Sequence, residues 1–276
     1  MPATDLDTLF GDVRAALDAP HTPRAWDALC DVLATAPASD AFSEQLAPYL
    51  RERLDAWPEH IRLAPTPWLR QSELSARAHL LGFARHVRFT HAKITSRGVR
   101  RILAAWGDQP ITFLDLEDCR NLGSAGVIAI VESPHAATIR HLNLNLCGVR
   151  ADGFRALAGL SAPLDYVDLS YNSAPDGALG PWIRSGSLAQ ARYVHFNHCD
   201  LSSQDVLDLC ALLSRGRVAT LELRGATLTF PHAQRLAALP WHDSPLVTLD
   251  LGLLDAPPRA LELLRHAPNL KGKVVL

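Results

Sequence analysis

Side chains able to bind a metal crowd at His195, His198 and Cys199. Imidazole and thiolate are zinc ligands, but zinc sites announce themselves by spacings such as C-x-x-C or H-E-x-x-H, and neither frames these three residues. On an extended segment, positions three apart face opposite sides, so His195 and His198 diverge. A second candidate pair is Asp115 and Glu117, two apart and on one face of a strand. Paired carboxylates can act as general acid and base, yet side-by-side acids are more often a solvated or binding surface. No phosphate-cradling glycine loop and no G-x-S-x-G elbow is present; Gly107-Asp108 and Gly123-Ser124 read as loops of a repeat. The residues give no catalytic centre, no metal ligands and no cofactor site, so the chain is expected not to be an enzyme.

The elements that hold these residues repeat. Leu114-Asp115-Leu116-Glu117-Asp118-Cys119 recurs 28 residues later as Leu142-Asn143-Leu144-Asn145-Leu146-Cys147. Aligned on the first apolar residue, the series is Val87, Leu114, Leu142, Val167, Val194, Leu221 and Leu249, with steps of 27, 28, 25, 27, 27 and 28 residues. A second apolar residue lies two positions on, at Phe89, Leu116, Leu144, Leu169, Phe196, Leu223 and Leu251, and so on the same strand face. Three further on comes Ala92, Cys119, Cys147, Asn172, Cys199, Ala226 or Leu254, where a buried side chain can serve loop backbone groups. Polar residues then open a helix at Thr95–Val99, Gly123–Val127, Arg150–Phe154, Ala174–Ala178 and Ser202–Val206. Gly98, Gly126, Gly153 and Gly177 are expected to let the helices lie close to the strands. Phe230-Pro231 and Pro257-Pro258 alter the sixth and seventh copies, but proline suits a first helical turn, so helices are expected over 233–239 and 259–265.

This pattern resembles the leucine-rich repeat superfamily, nearest to its ribonuclease-inhibitor-like and cysteine-containing subtypes, over residues 86–276. The resemblance implies an α/β fold: a right-handed solenoid of about seven strand–helix repeats, with a parallel sheet on the concave side and helices on the convex side. It implies a role in binding proteins and says little about which. The last residues, Lys271–Leu276, read as a final strand that closes the sheet or pairs with a partner's edge.

Residues 1–85 do not follow the period. Thr4-Asp5-Leu6-Asp7 reads as a capped helix start, with Leu6, Leu9, Phe10, Val13 and Leu17 on one face. Thr22-Pro23 opens a second helix carrying Trp26, Leu29, Cys30 and Leu33. Phe42, Leu46, Leu50, Leu54 and Trp57 continue the helical spacing across Pro48; Pro58, Pro65 and Pro67 mark a connector, and 72–85 a last helix. A solenoid end exposes apolar surface, so this region is expected to be a helical cap. It also resembles the helical N-terminal companion region of some bacterial leucine-rich repeat proteins, and so allows a two-site adaptor or regulatory subunit as an alternative. A small-molecule sensor is the remote third.

Composition narrows the class. The chain is 48% hydrophobic with a net charge of -2. Those values exclude a disordered chain and a globally basic nucleic-acid binder. Nothing basic and then apolar opens the chain, and no apolar run approaches a membrane span. The five cysteines are an odd number and three share one repeat position, so they are expected to be free thiols in the cytoplasm.

Binding is expected on the exposed strand face. There the residues before the first apolar position are His86, Phe113, His141, Tyr166, Tyr193, Thr220 and Thr248. Those between the two apolar positions are Arg88, Asp115, Asn143, Asp168, His195, Glu222 and Asp250; those after are Thr90, Glu117, Asn145, Ser170, Asn197, Arg224 and Gly252. Aromatic rings are anchors with little rotamer freedom to lose, and acids steer a basic partner. The residues expected to bind are Phe113, Asp115, Glu117, His141, Asn143, Tyr166, Asp168, Tyr193, His195, Glu222 and Asp250, and the partner a protein segment carrying arginine or lysine, with neither nucleic acid nor membrane involved.

Overall fold

The computed structural model describes residues 6–175 and 177–276. They form two compact units: one holds the residues up to Arg88 together with Arg101–Phe113, the other Phe89–Arg100 and Leu114–Leu276. Among the described residues no helix is long and apolar enough to cross a membrane.

The first unit is helical. It contains α1 (Leu6–Leu17), α2 (Pro23–Leu33), α3 (Ala47–Leu54), α4 (Thr66–Leu69), α5 (Leu74–Leu81) and one strand, β1 (His86–Arg88). The apolar spacing read from the sequence is its core: Leu9, Val13, Leu17, Trp26, Leu29, Cys30, Leu33, Phe42, Leu46, Leu50, Leu54 and Trp57 are all buried. Phe10 is half-buried, and the expected Thr4 cap lies outside the described residues. Thr22 caps α2 as expected, its hydroxyl accepting from the Ala25 N–H at 3.2 Å. Ahead of Pro48 the chain makes a wider π-type turn, Phe42–Leu46, because proline supplies no N–H to an α-helical ladder. The proline connector is not wholly irregular, since it contains α4, and the last helix is shorter than 72–85. Arg62 is buried here, and its guanidinium donates to the carbonyls of Phe83 at 2.8 Å and Leu54 at 3.3 Å. It thereby satisfies C-terminal carbonyls that helices leave open.

The second unit is the repeat. Its strands are β2 (Phe113–Asp115, of which Phe113 belongs to the first unit), β3 (His141–Asn143), β4 (Tyr166–Asp168), β5 (Tyr193–His195), β6 (Thr220–Glu222), β7 (Thr248–Asp250) and β8 (Val274–Val275). Consecutive strands are neighbours in one parallel sheet, in a register that sets His141 beside Tyr166, then Tyr193, Thr220 and Thr248. Val274–Val275 is the expected final strand, paired with β7. Between strands run α6 (Ser96–Trp106, whose second half belongs to the first unit), α7 (Gly123–Val131), α8 (Ala151–Ala156), α9 (Gly180–Ser185), α10 (Ser203–Leu213), α11 (Phe230–Ala237) and α12 (Pro258–His266). From α7 to α12 each helix packs on the next. Leu114 and Leu116, Leu142 and Leu144, and their counterparts to Leu249 and Leu251 are buried, which makes the α/β repeat architecture expected from the period.

Some expectations shift. Phe89, Ala92 and Leu254, at the first and last copies, are only half-buried. The fourth helix does not open over 174–178: a turn closes from the Ala178 N–H to the Pro175 carbonyl, Gly177 takes φ +73°, and α9 begins at Gly180. Asp176, in that stretch, lies outside the described residues. Both proline-bearing helices form, with proline in the first turn. Gly153 seats helix on helix rather than helix on strand: a Cβ there would come within 3.1 Å of the Ser124 Cα in α7. Gly177 has open space around it and serves its left-handed turn instead.

Candidate functional site

The strand face is built by hydrogen bonds that pass from one repeat to the next. Let Leu114 and its counterparts be position 1, so that Asp115 is position 2 and Cys119 position 6. The N–H at position 3 donates to the position-2 carbonyl of the next repeat, as from Leu144 to Asp168 at 2.8 Å and from Leu169 to His195 at 3.0 Å. The N–H at position 5 donates to the next position-4 carbonyl, as from Tyr171 to Asn197 at 2.7 Å.

The carbonyl at position 3 has a different partner, the position-6 side chain of the following repeat. Cys119 Sγ donates to Phe89 O at 3.2 Å, Cys147 Sγ to Leu116 O at 2.9 Å, and Cys199 Sγ to Leu169 O at 3.1 Å. Asn172 does the same with Nδ2, to Leu144 O at 2.8 Å, and its Oδ1 accepts from the Val149 N–H at 2.8 Å. The turn column therefore does what its residue types implied. Burial pushes the Cys147 and Cys199 thiols up to about 12, so they remain protonated donors, and all five cysteines are free and buried.

With that carbonyl engaged, the N–H at position 4 needs another acceptor. The side chain at position 2 provides it. Asp115 Oδ1 accepts from Glu117 N at 3.3 Å, Asn143 Oδ1 from Asn145 N at 3.0 Å, Asp168 Oδ1 from Ser170 N at 2.8 Å and Asp250 Oδ1 from Gly252 N at 2.8 Å. Where position 2 is His195 or Glu222, the preceding repeat substitutes: Ser170 Oγ accepts from Asn197 N at 3.1 Å, and Asn197 Oδ1 from Arg224 N at 3.0 Å. The column of acids is thus partly structural. Asp115 and Asp168 are buried rather than standing free in solvent, so their carboxylates serve the backbone as well as the face.

A further column was not legible in the sequence. Position 5 is left-handed in every copy: His91, Asp118, Leu146, Tyr171, His198, Gly225 and Leu253 have φ between 52° and 72°. Only one is glycine, so residue type gave no signal of it. Their side chains edge the sheet, where His91 Nδ1 meets Asp118 Oδ2 at 2.9 Å and Tyr171 stacks on His198 at 4.9 Å. His198 accordingly belongs to this rim and Cys199 to the buried turn column, so the triplet with His195 does not converge. Among the described residues no cluster of three histidine, cysteine or carboxylate side chains is placed to hold a metal ion.

On the open face of the second unit the expected residues line up. His141 lies flat on Tyr166, with ring centroids 4.0 Å apart and planes 5° apart; Tyr166 is tilted toward Tyr193 at 6.4 Å. Tyr193 is 41% exposed. Its ring carries Arg192 on one side, with the guanidinium carbon 5.8 Å from the centroid. In the neighbouring column of the same face His195 is followed by Glu222 and Asp250. His195 Nδ1 is 3.7 Å from Asp168 Oδ2 and its Nε2 is 3.8 Å from Glu222 Oε1. Asn197 Nδ2 donates to Glu222 Oε2 at 2.7 Å, and Arg224 Nη1 is 3.7 Å from Asp250 Oδ2. Burial works against charging His195, but the Asp168 carboxylate and the Glu222 charge outweigh it and raise its pKa above the usual histidine value. Burial also opposes ionisation of Asp168, yet the His195 ring and the Ser170 N–H and hydroxyl hold its carboxyl below the usual range. Burial, with the surrounding carboxylates, pushes the Tyr166 phenol up, so it stays neutral. Glu117 and Asn143 are half-exposed on the same face.

Phe113 is part of the first unit, where it stacks on His86 at 4.6 Å with the Arg88 guanidinium 5.4 Å above its ring. Burial, with His60, Arg88 and Arg62 nearby, lowers the His86 pKa to about 4, so this ring is neutral at physiological pH.

Residues 108–131 and 135–158 each match a family model described as a leucine-rich repeat. Those two segments carry β2 with α7 and β3 with α8, and the strands that follow repeat their register. No curated protein matches the chain.

Proposed function

We propose that this chain is a protein-binding module whose open strand face grips a segment of another protein rich in arginine or lysine. Leucine-rich repeats generally mediate protein–protein interaction. The observation that carries the reading is the pairing, on one face, of a row of rings with a row of carboxylates. His141, Tyr166 and Tyr193 give flat apolar surface, and negative charge comes from Asp168 on the strand of Tyr166, Glu222 one strand beyond Tyr193 and Asp250 two strands beyond it. Arginine suits such a surface, since its guanidinium both stacks on rings and pairs with carboxylates. The protein's own side chains already make both contacts here, Arg192 on Tyr193 and Arg224 beside Asp250. Within the second unit the binding set is Asp115, Glu117, His141, Asn143, Tyr166, Asp168, Tyr193, His195, Glu222 and Asp250, with Tyr193 exposed and Glu222 half-exposed at its centre.

The test is affinity purification from the native cell with mass spectrometry of what co-purifies, comparing wild type with a Tyr193→Ala/Glu222→Gln/Asp168→Asn variant. Neutral amides are chosen because Asp168 must keep an acceptor for the Ser170 N–H. A stoichiometric partner held by the wild type, lost from the folded variant and released by added salt is the expected result. A partner retained equally by both moves the binding surface off this face.

A further inference from the structure

The open face sets the imidazole of His195 among its rings and carboxylates. His195 stands between two acids from neighbouring repeats, with Asp168 Oδ2 3.7 Å from one ring nitrogen and Glu222 Oε1 3.8 Å from the other. Both distances are beyond direct hydrogen bonding, so neither carboxylate is closed off by the imidazole. The other groups around it are engaged elsewhere or neutral. The Tyr166 ring lies edge-on at 5.4 Å and its phenol stays neutral; Asn197 holds the far oxygen of Glu222; Arg224 is turned to Asp250. Tyr193 and Asn197 flank it along the chain.

We propose that His195 is a proton-operated competitor for the partner's cation, so that this face takes a basic segment when His195 is neutral and releases it as His195 protonates. The inference rests on the binding role proposed above and adds its regulation. The chemistry is mutual exclusion of two positive charges. An arginine or lysine laid across Tyr166 and Tyr193 meets the same two carboxylates that His195 serves. With the imidazolium present, the local charge of Asp168 and Glu222 is half cancelled and the incoming cation is repelled. With the imidazole neutral, the charge at Asp168 Oδ2 and Glu222 Oε1 is left for the incoming cation. By linkage, the bound segment must in turn lower the pKa of His195. The carboxylates that raise the pKa of His195 in the free protein are the two for which a bound cation would compete.

The experiment uses the full chain and a fluorescein-labelled peptide of alternating arginine and glycine, whose charge is constant across the range. The same peptide with citrulline in place of arginine is the control for charge. Binding is followed by fluorescence anisotropy from pH 5.5 to 8.5 (the range of the assay) at fixed ionic strength. The wild type is expected to tighten by up to about tenfold per pH unit on the acid side and to level off on the alkaline side. His195→Asn should lose the pH dependence, whatever its affinity at high pH. His195→Lys, a constant cation, should bind weakly throughout. Nuclear magnetic resonance of the His195 ring should show its titration moving to lower pH when the arginine peptide is bound. Binding that is charge-dependent but flat with pH overturns this inference and leaves the binding role intact. A His195→Asn variant that keeps the wild-type slope overturns it as well. Failure of the arginine peptide to bind at any pH, or equal binding of the citrulline peptide, overturns the binding role and the inference with it.

Discussion

Asp168→Ala tests the claim that the position-2 acids hold the backbone as well as the surface charge. The carboxylate accepts from the Ser170 N–H at 2.8 Å, and Ser170 is only 1% exposed, so water cannot replace the lost acceptor. A buried donor left unpaired costs about 1–3 kcal/mol, and the bond here is to a charged acceptor, which places the loss at about 2–3 kcal/mol. For a chain of this size each kcal/mol lowers the melting point by about 2–4 °C, so a fall of about 4–12 °C is expected. Asp168→Asn keeps an oxygen in the same place and loses only the charge facing His195, a cost of about 1 kcal/mol or less. Urea unfolding at pH 8 followed by circular dichroism measures both, and hydrogen exchange at the Ser170 amide reports the bond itself. The alanine variant should exchange faster at that amide while the asparagine variant stays protected. Equal destabilisation by the two substitutions, or an alanine variant as stable as wild type, refutes the hydrogen-bond account. The pH dependence follows in sign. The carboxyl of Asp168 is held below its ordinary value of 3.8 in the folded state. Its contribution is therefore complete above that value and is lost as pH falls through the lower folded value; the asparagine variant lacks this acid-side decline.

Two further substitutions probe the repeat. Asn172→Ala removes donors to the carbonyls of Leu144, Leu169 and Ser170 and the acceptor of the Val149 N–H. It should cost about 3–5 kcal/mol. Asn172→Cys restores the thiol-to-carbonyl bond that Cys147 and Cys199 make in their repeats. It should cost about 1–2 kcal/mol, and a cysteine variant no better than alanine in urea unfolding would falsify the equivalence of the column. Leu253 is an aliphatic residue, 70% exposed, at φ 60°. Leu253→Asn places there a side chain that tolerates the left-handed region and should stabilise by about 0.5–1 kcal/mol. A lower urea midpoint counts against strain at the rim.

Much of the face was readable from residue order alone. The regular steps placed Val87 through Leu249 on strands. Alternation then assigned His141, Tyr166, Tyr193, Asp168 and Glu222 to the opposite face. The repeat position of the cysteines also indicated buried donors rather than disulfides. The ends of helices were less legible. The Ala174–Ala178 stretch looked like its counterparts by position, but a left-handed Gly177 stops a helix from starting there. The left-handed rim was hidden, since six of its seven members are not glycine and no one residue type marks the column.

Residue order alone dictates the unit and its stacking, because a strand of period two and a fixed repeat length leave few ways to bury Leu142, Leu144 and their equivalents. It also dictates which residues share the open face. What those residues do there follows from packing in three dimensions. Whether Asp168 is a surface charge, a backbone acceptor or the partner of a histidine depends on where the neighbouring repeats send their carbonyls. Leu144 O goes to Asn172, Ser170 N–H therefore turns to Asp168, and His195 from the next strand comes within 3.7 Å of the oxygen left over. Each of those links joins residues more than twenty positions apart or depends on one that does, and no local pattern of residue types contains it.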